Sequence, residues 1–251
     1  MSDKIYLVSL KNDDIRRKTL KERFKRYDEF IILEAVDGRQ MSLKDYYSTL
    51  TNSYKAHRRI LSPGEIGCAR SHLNIYADFL NTKDEICLIL EDDIVGDDKS
   101  IQKAFEIYDK LPSNSLLLCE GQFCNSLRSS ILVKKIDNNL YKVSNLSKRF
   151  ITGTCAYMVD KNIAKALKNS QDKALNLADR WDEFGNFDIY ISDIFIHPNS
   201  RNDSSIEKER NLKKIEHKAN IKDYINTFFY IFKSRIKVYI FGYKKIVECM
   251  K

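Results

Sequence analysis

Apolar positions along the chain form short continuous runs, separated by stretches in which they recur every three or four residues. This is the pattern of buried strands alternating with amphipathic helices. Ile5 to Leu10 is such a run, and Asp13 or Asp14 can then cap a helix carrying Ile15, Leu20, Phe24 and Tyr27 among basic residues. Phe30 to Ala35 reads as a second strand and ends in Val36-Asp37-Gly38, a turn signal, so the chain opens β-α-β. Ser62-Pro63-Gly64-Glu65 is a helix start, with proline in the first turn and glutamate three residues after serine. Ile66, Ala69, Leu73, Tyr76 and Leu80 continue it at helical spacing.

Glu85 to Leu90 is the most apolar strand candidate and runs straight into Glu91-Asp92-Asp93. Asp98 to Lys110 reads as a helix and Leu116 to Cys119 as a strand. Ser130 to Ile136 and Leu140 to Val143 flank Asp137-Asn138-Asn139 as a hairpin. Gly153 to Val159, Lys161 to Lys168 and Asn186 to Ile196 follow as strand, helix and strand. The alternation predicts an α/β fold, with ligands at the carboxyl ends of the strands, where the carboxylates past Leu90 would lie. With no internal repeat and no low-complexity linker, the chain reads as one catalytic domain over 1–205 and an extension over 206–251.

Composition changes this picture in one place. Forty-three Lys and Arg against 35 Asp and Glu leave a net +8, a surplus that suits nucleic acid or an anionic membrane. Counted by region, 1–205 holds 31 basic and 30 acidic residues, net +1, and 206–251 holds 12 and 5, net +7. The body is close to neutral and the surplus is C-terminal. There Tyr224, Ile225, Phe228, Phe229, Phe232, Ile236, Tyr239, Ile240, Phe241 and Tyr243 mix with Lys222, Lys233, Arg235, Lys237, Lys244 and Lys245. That mixture fits an interfacial helix on anionic lipid, or a helix packed on the body with its basic face in water. The six cysteines are scattered and form no CxxC pair, as expected in a reducing compartment. The first apolar run is too short for a signal peptide, and no stretch reaches the roughly 18 to 20 apolar residues of a spanning helix. The expected location is cytoplasmic, peripheral on the inner face of the plasma membrane.

Three consecutive carboxylates at a strand end repel one another unless a cation or strong donors offset them. Hard cations such as Mn²⁺ or Mg²⁺ take such oxygen ligands and complete their shell with substrate phosphates. In an extended chain Glu91 and Asp93 point the same way; the plain alternative is a capped or solvated turn. Cys68 and His72 share a helix face one turn apart, but no second Cys/His pair is spaced to complete a zinc site, which favours packing. There is no GxxxxGK[ST], GxGxxG or GxSxG. His57, within Lys55-Ala56-His57-Arg58-Arg59, reads as a surface residue.

These segments together resemble glycosyltransferase family 25, the lipooligosaccharide biosynthesis galactosyltransferases and their relatives. The resemblance rests on Ile5-Tyr6-Leu7-Val8-Ser9-Leu10 with Arg16-Arg17, Ala35-Val36-Asp37-Gly38, and Gly64-Glu65-Ile66-Gly67-Cys68-Ala69-Arg70-Ser71-His72. It continues through Leu88-Ile89-Leu90-Glu91-Asp92-Asp93, Gly153-Thr154-Cys155-Ala156-Tyr157, and Pro198 with Ser204-Ser205-Ile206, covering some 200 residues in order.

The resemblance implies a GT-A type fold, a Rossmann-like mixed sheet flanked by helices. It also implies a nucleotide-sugar donor, UDP-galactose or another UDP-hexose, with Mn²⁺ or Mg²⁺ and inversion at the anomeric carbon. Carried onto this chain, it makes Asp93 the first metal ligand, with His197 either completing the shell or closing its strand. Glu91 then faces the ribose or sugar, and Asp92 is a second ligand or a structural acceptor. Val8, Leu10, Arg16, Asp37, Gly38, Glu65, Gly67, Ser71 and His72 fall to the donor, with a plain turn open for Asp37-Gly38 and a buried hydrogen-bonded role for His72. Arg17 is a further candidate for the diphosphate.

Direct displacement needs a base for the acceptor hydroxyl. Leu177-Ala178-Asp179-Arg180-Trp181-Asp182-Glu183 offers Asp179 first and Asp182 second, with Trp181 as a sugar-stacking face or a core residue. The implied partners are the donor, a lipid-linked oligosaccharide acceptor and, through the extension, an anionic membrane surface. Two rivals are a noncatalytic sugar-binding or membrane-adaptor protein and a basic nucleic-acid-binding protein; no nucleic-acid recognition motif is present, so nucleic acid is not an expected partner.

Overall fold

The computed structural model describes residues 4–197 and 221–250. Nine strands form one mixed sheet: β1 (Ile5–Ser9), β2 (Ile31–Glu34), β3 (Ile86–Glu91), β4 (Ser115–Glu120), β5 (Leu132–Asp137), β6 (Leu140–Val143), β7 (Ala156–Asp160), β8 (Asp188–Phe195) and β9 (Lys244–Lys245). Their spatial order is β2-β1-β3-β7-β4-β8-β6-β5-β9. The β2-β1-β3 group and the β4-β8 pair are parallel, whereas β7 runs antiparallel between β3 and β4. The mixed α/β sheet expected from the strand and helix alternation is therefore present.

Strand alternation sends successive side chains to opposite faces, and each face has its own core. Tyr6, Cys87, Ile89 and Tyr157 pack under α3 (Pro63–Leu80) and α5 (Lys161–Lys173) through Ile75, Phe79, Ile163 and Leu167. Ile5, Leu7, Leu88 and Leu90 pack under α1 (Asp14–Arg23) and α4 (Asp98–Tyr108) through Leu20, Phe24, Ile101 and Phe105. Ile15, expected on the buried stripe of α1, is exposed instead, and only Leu20 of α1 is fully covered.

One helix lay outside the sequence expectation, α2 (Leu43–His57), capped by the Ser42 hydroxyl accepting from the Asp45 amide. Its large residues Leu43, Tyr47 and Tyr54 are exposed, so no clean apolar stripe marks it. Helix α3 begins at the expected capping box, in which the Ser62 hydroxyl accepts from the Glu65 amide and Glu65 accepts from the Ser62 amide.

The chain's last described residues return to the body. Strand β9 pairs with β5, and a short helix, α7 (Ile246–Cys249), buries Ile246 and Met250 against the core. Between them and the body runs α6 (Ile221–Phe241), where the Tyr230 hydroxyl donates to the Ser130 carbonyl and the Tyr230 ring meets Phe150 edge-on. Phe232, Val238, Tyr239, Ile240 and Phe241 on this helix are exposed. No helix among the described residues is long and apolar enough to cross a membrane. The Pro198 and Ser204-Ser205-Ile206 stretch lies outside the described residues.

Candidate active site

A pocket with a cavity volume of about 140 Å³ opens at the carboxyl ends of β1, β2 and β3. Val8, Ser9 and Leu10 come from β1 and its exit, Ala35 to Arg39 from the turn after β2, Gly64, Cys68, Ser71 and His72 from α3, and Glu91 and Asp92 from the end of β3. Asp13 and Arg16 close it from α1. Two glycines allow α3 to come this near. A Cβ on Gly38 would lie 1.8 Å from the Pro63 carbonyl oxygen, and one on Gly67 2.4 Å from that of Val36. Ser71 locks the approach by donating to the Gly67 carbonyl at 2.7 Å and accepting from the Val36 amide at 2.8 Å.

The three carboxylates at the end of β3 diverge. Asp92 is buried and accepts from Arg16 at 2.9 Å; burial raises its pKa despite that partner. Glu91 turns toward α3, where its Oε1 meets His72 Nε2 at 3.2 Å and accepts from the Thr154 hydroxyl. Asp93 turns the other way. Its Oδ2 lies 3.6 Å from His197 Nε2 and 3.8 Å from Arg16, and its Oδ1 is buried with no hydrogen-bond partner. The neighbouring Asp93 carboxylate pushes His197 up to about 10 against the effect of burial. Burial alone would raise Asp93, but His197 and Arg16 hold it below the usual carboxylate range. His197 reaches this position because Val95 and Ile196 form an antiparallel bridge just past the two strands.

Because β7 is antiparallel to its neighbours, its entry rather than its exit lies at this edge. Thr154 thus meets Glu91, and the Cys155 thiol donates to Glu120 at 2.9 Å. Glu120, the last residue of β4, is buried, and burial lifts its pKa to about 7. Gly153, at φ +95°, has no room for a side chain: a Cβ would fall 2.0 Å from Glu120 Oε1. Its amide donates to Asp179 at 3.0 Å, so two carboxylates flank one glycine. Gln122, in the left-handed region at φ 57°, donates to Glu120 at 3.3 Å and to the Thr152 carbonyl at 2.6 Å. Nothing in the sequence singled out Glu120, an isolated acid after Leu116 to Cys119; its position at a strand's carboxyl end was the one available signal.

Of the residues read from sequence, Val8, Leu10, Arg16, Asp37, Gly38, Ser71, His72, Glu91 and Asp92 all line the pocket. Gly67 sits behind it, against Gly38, and Glu65 is taken up by the helix cap. Arg17 turns back to the Leu10 and Lys11 carbonyls. His72 is buried and bonded on both ring nitrogens, to Tyr157 at 2.8 Å and to Glu91. Asp93 and His197 come together beside the pocket.

Around Asp179 the structure gives Trp181 its core alternative and shows the partners of Asp182 and His57. Trp181 is fully buried against Tyr157 and Phe184, so it offers no stacking face to a sugar. Asp182 accepts from Arg180 at 3.0 Å, next to a clasp in which Arg59, Arg180 and Asn176 hold Glu183 at about 2 against the effect of burial. His57 is half-buried in the same clasp, with Nε2 3.0 Å from the Ala174 carbonyl, because the unforeseen helix α2 carries it onto the body.

This arrangement combines a pocket, an acidic strand end and buried carboxyls at one sheet edge. The profile of the family described as Glycosyltransferase family 25 (LPS biosynthesis protein) matches residues 2–184. The chain belongs to glycosyltransferase family 25. A Haemophilus influenzae protein named "Putative glycosyltransferase" is 27% identical over 94% of this chain and 86% of its own length. Human procollagen galactosyltransferase 2 is 25% identical over 57% of this chain, and an Aedes aegypti glycosyltransferase 25 family member is 35% identical over 36% of it. The matched regions cover 24% of the human relative and 16% of the mosquito one.

Proposed function

We propose that this protein transfers a hexose, in the first instance galactose from UDP-galactose, onto a hydroxyl of a lipooligosaccharide or other surface glycan, inverting the anomeric centre. Two lines support this: membership of the family and the galactosyltransferase names of several relatives. The observation that carries it is the pocket, where the acidic end of β3 faces the first turns of α3 at the carboxyl edge of the sheet.

Asp93 and His197 suit a hard divalent cation, Mn²⁺ or Mg²⁺. They present carboxylate and imidazole donors side by side, and the buried Asp93 Oδ1 has no other partner. Such an ion supplies charge neutralisation to the departing diphosphate. Arg16, between Asp92 and Asp93, adds positive charge at the same mouth. Asp37 and Gly38 take the nucleoside end, where glycine lets the backbone approach, and Glu91 takes a ribose or sugar hydroxyl. Asp179 accepts the proton of the acceptor hydroxyl as it attacks. The exposed aromatic and basic residues of α6 direct the protein to an anionic membrane on the cytoplasmic side, where a lipid-linked acceptor is presented.

Incubation with a panel of UDP-sugars and Mn²⁺, reading UDP release with and without acceptor glycan, tests the reading. Release with UDP-galactose, lost in chelator, is the expected result. No release with any UDP-sugar and any acceptor would leave a sugar-binding protein without turnover.

A further inference from the structure

We propose that Cys68, His72 and Glu91 form a binding site for a zinc-class cation in the wall of the pocket. The first two lie one turn apart on one face of α3, which holds no other cysteine or histidine. The fold supplies it from β3: one donor atom of each residue lies within 4.8 Å of the other two. Thiolate, imidazole and carboxylate together are a zinc donor set, distinct from the oxygen-rich shell that manganese or magnesium prefers. Three protein ligands with a fourth position open to a cavity is the arrangement of accessible zinc sites, and all three residues line the pocket.

His72 is already oriented for this role. Its Nδ1 is held by the Tyr157 hydroxyl at 2.8 Å, itself bonded to the Tyr76 hydroxyl at 2.7 Å, which leaves Nε2 facing Glu91. Fixing the far ring nitrogen in this way is how proteins aim a metal-binding imidazole. Asp93 and His197 are no part of this group, since Asp93 turns away from α3. Binding releases the Cys68 thiol proton to solvent and engages ionised Glu91 and neutral His72.

The site has a functional consequence that rests on the pocket being the donor site. A cation there occupies the Glu91 carboxylate and the pocket wall, so zinc and nucleotide exclude one another. Zinc would then be an inhibitor of the enzyme rather than its cofactor.

The test uses the full chain after chelator treatment, titrated with Zn²⁺ by calorimetry and with Co²⁺ by absorbance. Wild type should take up one Zn²⁺ per chain and show a thiolate-to-cobalt charge-transfer band. Cys68→Ala and Cys68→Ser, checked for native circular dichroism and melting, should bind Zn²⁺ at least about tenfold more weakly and lose the band. Asp93→Asn should keep both. Equal zinc affinity in the Cys68 variants, or a wild type without the band, overturns the proposal. In a second arm, Zn²⁺ should weaken UDP binding at least about tenfold in wild type and not in Cys68→Ala. Absence of UDP binding in wild type supplied with Mn²⁺ and no zinc would strike the donor reading alone, because the zinc titration is read without nucleotide.

Discussion

The carboxyl edge of the sheet has two halves built by different means. On the β2-β1-β3 side, parallel strands deliver Val8 to Leu10, Ala35 to Gly38 and Glu91 in chain order, and α3 closes over them. On the β7-β4-β8 side, an inverted strand brings Gly153 to Cys155 against Glu120, with Asp179 arriving from a loop and His197 from beyond β8. The first half is open and combines an apolar wall with charged side chains, suited to holding a ligand. The second buries carboxyls with few compensating cations, so charge there is costly and protonation matters. A transferase needs both characters, one for holding the donor and one for moving a proton.

Several measurements can break or sharpen this contrast. The largest effect belongs to the junction of the halves. Asp93→Asn should cut metal-dependent transfer about a hundredfold or more, and full activity in chelator would remove the metal from the reading. Asp179→Asn should lower kcat by about a hundredfold or more while leaving the Kd for UDP nearly unchanged. Loss of UDP binding in that variant would put Asp179 in the holding half instead.

Glu120 gives the contrast a pH signature. A carboxyl raised from 4.5 to about 7 keeps its proton in the folded protein over a range where the unfolded chain has lost it. Its contribution is therefore fully present below pH 4.5 and is lost as pH rises through about 7, on the order of 3 kcal/mol in total. Urea unfolding at intervals across that window should show the decline in wild type and a flatter profile in Glu120→Gln; parallel profiles would mean that Glu120 ionises normally. Gly153→Ala, at φ +95° and against Glu120, should destabilise by about 1–3 kcal/mol through backbone strain and crowding. The smallest effect belongs to the holding half's scaffold: Glu65→Ala should cost about 1 kcal/mol through the lost α3 cap, seen as a lowered Tm with UDP affinity little changed.

The legibility of the two halves differs for the same structural reason. Pocket residues sit at strand ends and in the first turns of α3, where turn signals, a capping box and an acidic triplet mark the local chain. Strands and most helices were readable because the central strands bury both faces and α3 carries a strong start signal. Helix α2 was not, since its large residues face water, and the contacts of His57 were hidden with it. Trp181 left a stacking face and a core position open until packing decided for the core, and Asp182 is paired with Arg180. Glu120 carried no mark because an isolated acid says nothing until its surroundings are known.

By itself, the order of apolar runs and helical periods determined an α/β sheet with a ligand edge, and the position of Glu91-Asp92-Asp93 determined where on that edge the acidic chemistry lies. Only the tertiary structure decided which way each of those carboxylates turns: Glu91 to α3, Asp92 to Arg16 and Asp93 to His197. It also decided that the entry of β7 would stand beside their exit, and that Cys68 and His72 would find a third ligand. Local pattern reports burial and backbone conformation. Pairings between side chains that lie far apart in sequence depend on strand order and direction, which no short segment encodes.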